Sequence, residues 1–94
     1  MITFKEAREK VQSMEADLWL DKAGTFYVDT DGYGDGDAWY LNFGAEEWMV
    51  DGDLRFLIAD ADAALVDKKT GDVTITTYLD NAERYDAMRA VSVG

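Results

Sequence analysis

The sequence predicts an α+β fold: an antiparallel β-meander of about four strands, an N-terminal helix packed across one face, and a short C-terminal helix. Three observations lead there. An apolar stripe of helical period opens the chain, β-rich segments separated by Asp- and Gly-rich turns fill the middle, and a second helical stripe closes it. At 94 residues the chain is read as one domain, 1–94, and its hydrophobic fraction of 48% supports one core of two layers.

Each element has its own signal. Thr3 and Glu6 fit a capping box, in which each residue's side chain accepts from the other's amide. Phe4, Ala7, Val11, Met14 and Leu18 then recur at helical steps, which predicts a helix over residues 4–19, ended by the glycine of Lys22-Ala23-Gly24. Residues 25–30 and 38–43 are β-rich, with Phe26 and Val28 on one face of the first and Trp39, Leu41 and Phe43 on one face of the second. Between them, Asp31 to Asp37 reads as a wide loop with three glycines. Residues 46–50 and 54–58 flank Asp51-Gly52-Asp53 and suggest a second hairpin, with a short helix through 53–59 as the alternative. Strands follow over 63–67 and 73–78, joined by a turn with Gly71 in the left-handed position. Asp80 and Glu83 repeat the capping-box spacing, and Ala82, Tyr85, Met88 and Val91 carry a helical stripe to about residue 90.

Composition excludes several functions. Twenty acids against nine bases give a net charge of −11, which argues against nucleic acid and against anionic membrane surfaces. No cysteine or histidine is present, so thiolate chemistry, sulfur metal sites and the commonest general base are missing. Ser13 and Ser92 are the only serines, with no base to activate them. No run approaches a signal peptide or membrane span, and a cytoplasmic protein without cofactor is expected. The Asp- and Gly-rich loop invites a calcium reading, but counting from Asp29 puts Tyr40 where an EF-hand needs its bidentate Glu. Gly32-Tyr33-Gly34-Asp35-Gly36 precedes no predicted helix and is ringed by acids that repel phosphate. Paired carboxylates for hydrolysis need a cleft that raises one pKa, and so short a chain offers little. No enzymatic role is expected.

The charge is uneven. Residues 15–62 hold thirteen acids and two bases, while the remainder is balanced at seven of each. The middle half therefore carries the whole net charge, either for solubility or as a surface that steers a basic partner. Trp19, Trp39 and Trp48 lie in the same half, as core residues or as interface anchors.

Three stretches together resemble a family: the opening Met1 to Ala7, the hairpin Ala64 to Val73, and the closing Tyr78 to Tyr85. In this order they resemble the small bacterial YrhB-like proteins, grouped with the immunity protein 35 family of polymorphic-toxin systems. The resemblance implies a non-enzymatic protein that neutralises a cognate toxin. The charge pattern adds the expected contact, a basic cleft on the toxin. The candidate partner-binding residues are Asp29, Asp31, Tyr33, Asp35 and Asp37, then Glu46, Glu47, Trp48, Asp51 and Asp53. The competing readings are a small acidic chaperone-like or regulatory binding module, and a DNA mimic. A homodimer built by edge-strand pairing is compatible with any of them.

Overall fold

A computed structural model describes residues 1–20, 22–57 and 62–93. The architecture is α+β, with five antiparallel strands and helices on both faces. Asp21 and Asp60, and the Ile58 and Ala59 ends of the expected 54–58 strand and 53–59 helix, lie outside the described residues.

Helix α1, Phe4–Gln12, begins with the predicted capping box: Glu6 N donates to Thr3 Oγ1 at 3.1 Å and Thr3 N to Glu6 Oε1 at 3.0 Å. The helix stops earlier than the stripe suggested. Ser13 caps it, with its hydroxyl donating to Lys10 O at 2.6 Å, and a one-turn helix α2, Glu15–Leu18, carries the stripe on. Serine competes for the carbonyls behind it, which is why a continuous apolar stripe does not give a continuous ladder.

Strands β1, Phe26–Gly34, and β2, Ala38–Ala45, form the first hairpin, and β3, Ala63–Asp67, and β4, Val73–Thr76, form the second. The last element, β5, Arg89–Ser92, pairs with β1 at the far edge, giving the order β4-β3-β2-β1-β5. Two expectations are corrected together here. Residues 31–34 are strand and not loop, and the closing helix α4, Ala82–Ala87, ends at Met88, whose backbone is already extended. Each correction causes the other, because β5 supplies ladder partners to Asp31–Gly34 that the sequence does not announce. A bulge between Val28 and Gly32 absorbs the change of register.

Residues 46–50 are also corrected. They form helix α3, Glu46–Met49, and not a strand. Gly52, at φ +71°, sends its amide to Trp48 O at 3.0 Å, so the Asp–Gly pair closes a helix rather than a hairpin. A 3₁₀ turn over Leu54–Phe56 follows, in line with the helical alternative for the described part of 53–59. The turn at Gly71 matches its reading, with φ +77° and its amide donating to Asp67 O at 2.9 Å. The second capping box is absent. Asn81 precedes α4 and its amide group donates instead to Thr76 Oγ1 and Thr77 O.

α1 lays Phe4, Ala7 and Val11 onto Val28, Leu41, Phe43, Ala64 and Val66, and this is the core. Gly32 and Gly34 lie on that same face because nothing larger fits. A Cβ on Gly32 would stand 2.6 Å from Tyr40 O and 2.7 Å from the Phe4 ring, and one on Gly34 would stand 2.5 Å from the Trp39 ring. Beyond the reach of β5, α1 also closes the outer edge of β1: Arg8 Nε donates to Val28 O at 2.9 Å and Val28 N donates to Gln12 Oε1 at 3.3 Å.

Candidate partner-binding face

The face of the sheet opposite α1 is covered in part. Tyr85 of α4 packs its ring against Tyr33, Tyr40 and Tyr78 at centroid distances of 4.5, 5.1 and 5.0 Å. Burial raises the pKa of Tyr40 and of Tyr85, and for Tyr85 the hydrogen bond with Tyr33 adds to it. The remainder of this face is open. An acid-lined groove of about 540 Å³ runs over Asp29, Asp31, Tyr33, Asn42 and Ser92. Beside it lies a hollow of about 160 Å³, lined by Phe43, Gly44, Trp48, Met49, Phe56 and Asp62. Asn42 lines both, so the two meet.

The structure divides the ten candidates among three places. Asp35 and Asp37 sit at the tip of the β1–β2 hairpin. Asp35 is a structural residue: its Oδ1 accepts from the amides of Asp37 and Ala38, both at 2.8 Å, and its Oδ2 from Arg84 Nε at 2.7 Å. The Arg84 guanidinium holds the Asp35 carboxyl down at about 2. Lys68 donates to Asp35 O and stacks its ammonium 3.9 Å from the Trp39 ring centre. Lys68 and Arg84, two of the four bases of residues 63–94, thus sit at this tip and offset its acids. Asp37 is exposed, and its carbonyl accepts from Lys68 N.

Asp29, Asp31 and Tyr33 form the second place, along the bulged part of β1. Asp29 Oδ1 accepts from Asp31 N at 3.0 Å, which braces the bulge, and Asp31 is exposed. The third place is the knob formed by α3 and the 3₁₀ turn. Glu47 ties it down, with its carboxylate accepting from Thr25 N at 2.8 Å and Thr25 Oγ1 at 3.1 Å; the backbone bond lowers its pKa. Asp53 accepts from the Arg55 amide and pairs with its guanidinium at 2.7 Å, which lowers its pKa too. Glu46 and Asp51 are exposed, and neither side chain has a hydrogen-bond partner among the described residues. Trp48 lies half-buried in the hollow.

The tip and the knob stand at opposite ends of β2, about 23 Å apart at roughly 3.3 Å per residue. The ten residues are therefore not one patch. Asp29, Asp31, Tyr33 and Trp48 do share the groove and hollow, with Glu46 and Asp51 on the knob beside them. Sequence reasoning missed Asn42, Gly44, Met49, Phe56, Asp62 and Ser92. One signal was present: Asn42, alone between Leu41 and Phe43, marks a strand position that faces water. Nothing marked Ser92, because β5 reads as the end of a helix.

Among the described residues no three acidic side chains converge where a cation could sit, and no helix is long and apolar enough to cross a membrane. No protein-family model, curated protein or solved structure matches the chain.

Proposed function

We propose that this chain is a non-enzymatic, cytoplasmic immunity protein that neutralises a cognate bacterial toxin by occupying a basic cleft on it. The observation that carries the reading is the open face opposite α1. There Asp29 and Asp31 line a groove and Asp62 a neighbouring hollow, with Glu46 and Asp51 on the knob beside them, while Lys68 and Arg84 are held at the hairpin tip. Such a surface steers a basic partner in and repels nucleic acid. Asp29, Asp31, Glu46 and Asp51 are the steering charges, and Tyr33 and Trp48 supply the contact.

The test is a pull-down from the source cell with the tagged protein, at low and at high salt. A single basic partner that elutes with salt, and whose expression alone kills the cell, supports neutralisation. Reversing Asp29, Asp31, Glu46 and Asp51 to lysine is then expected to slow association roughly tenfold or more and to flatten its salt dependence. Unchanged kinetics would remove these residues from the mechanism. A chaperone-like or regulatory role is the second reading, favoured by the exposure of Leu54 at 73% and Leu79 at 84%. Many unrelated partners in the same pull-down would select it.

A further inference from the structure

We propose that the hollow beneath the α3 knob receives an aliphatic side chain of the partner, so that the docking element is a basic segment carrying one apolar anchor. This rests on the reading of the chain as a binder of a basic protein, and it names the contact.

Three observations point to that occupant. The hollow is apolar and of side-chain size. Its walls are Phe43, Ala45, Trp48, Met49 and Phe56, and its volume is about 160 Å³. A comparable apolar cavity of about 150 Å³ accepts a benzene ring. The floor is held open by Gly44, where a Cβ would already press on Met49 Sδ at 3.2 Å. The second observation is the surrounding surface. Val50, Leu54 and Leu57, all just after α3, are exposed at 57%, 73% and 49%. A knob that keeps three large apolar side chains in water has the composition of an interface, not of a solubility device.

The third observation is charge. Glu46 and Asp51 bracket Trp48 and Met49 in sequence, and Asp62 lines the hollow itself. Arg55, the one base of the knob, is already paired with Asp53. An apolar socket set among carboxylates suits a segment whose apolar residue is flanked by lysine or arginine, and it disfavours an acidic or purely polar one. The knob is also braced for the task. Asp53 N donates to Glu47 O at 2.9 Å and Glu46 N to Thr25 O at 2.8 Å, so the socket walls are fixed to the start of β1. A pre-formed socket loses little freedom on binding.

The experiment uses the full chain, isotopically labelled, and two synthetic peptides: four lysines around a central leucine, and the same peptide with a central alanine. Both are expected to bind with salt-dependent affinity. The leucine peptide should bind about fiftyfold more tightly, the value expected for fully burying the three carbons that leucine adds to alanine. That preference should persist as salt is raised, and its amide shifts should centre on Gly44, Met49 and Phe56. Met49→Gln should reduce the preference to less than about twofold. Equal affinity of the two peptides for the wild-type chain, or leucine-specific shifts centred on Asp31 and Tyr33, would overturn the proposal without any variant being needed. The two readings fail separately. A missing basic partner in the cell sinks toxin neutralisation and leaves the leucine preference standing; equal peptide binding sinks the socket whatever the pull-down gives.

Discussion

Asp35 holds the hairpin tip in two ways, and the two can be separated. Its Oδ1 accepts the Asp37 and Ala38 amides, and its Oδ2 faces Arg84 Nε. Asp35→Asn can keep the amide bonds and the longer Arg84 Nη2 contact to Oδ1 at 3.3 Å but loses the Arg84 Nε bond, since an amide nitrogen facing guanidinium is a donor against a donor. The carboxyl is held at about 2 in the fold against 3.8 for an ordinary aspartate. A depressed folded-state pKa stabilises the fold above the unfolded pKa, and the gain is lost as pH falls through the folded one. Wild-type stability should therefore decline between pH 4 and pH 2, and Asp35→Asn should lack that part of the decline. At neutral pH the variant should be about 1 kcal/mol less stable, a shift of nearly two pKa units discounted because the Arg84 side chain is more than a third exposed. Urea denaturation at a series of pH values checks both.

Elements were legible where local rules and tertiary context agreed. The capping box of α1, the faces of β1 and β2, and the Gly71 turn were all readable because neighbours in sequence make them. Helix α3 was misread because Asp51-Gly52 is as good a helix terminator as a hairpin turn, and only the Glu46 and Glu47 contacts to Thr25 decide between them. Strand β5 was invisible because Ala82, Tyr85, Met88 and Val91 keep helical spacing, while its hydrogen bonds come from a strand about 60 residues earlier. The same remoteness hid half of the candidate face: Asp29, Asp31, Tyr33 and Trp48 were readable as acidic or aromatic, but their joining through Asn42 is a property of the sheet. The glycines of β1, read as loop, are in fact strand positions cleared for α1 and Trp39. Gly32→Ala tests this. Its methyl would meet Tyr40 O and the Phe4 ring, and the substitution should cost about 1–3 kcal/mol, measured as a fall in the urea midpoint with an unchanged slope. An alanine at Gly36, with nothing within 4 Å, serves as the neutral control.

At the scale of the whole molecule, charge and topology divide the surface. Lys68 and Arg84 return from the last third to offset the acids of the hairpin tip, while Asp29 and Asp31 line the groove and Glu46 and Asp51 stand on the knob without such partners among the described residues. The chain achieves this by leaving β4 at one edge, crossing the tyrosine-covered face through α4, and returning as β5 on the other edge. That crossing has a kinetic consequence. The two hairpins join residues near in sequence and can form early, whereas pairing Asp31 with Ser92 closes the longest loop of the sheet and must await them. β5 is then the last strand to dock in folding and the first to leave in unfolding. Val91, packed half-buried against the core, reports on that step. Val91→Ala should raise the unfolding rate severalfold and leave the refolding rate nearly unchanged in stopped-flow chevrons. A loss confined to the refolding limb would instead make β5 part of the nucleus. Because β5 also forms one wall of the acidic groove through Ser92, the time for which that wall exists is set by the same rate.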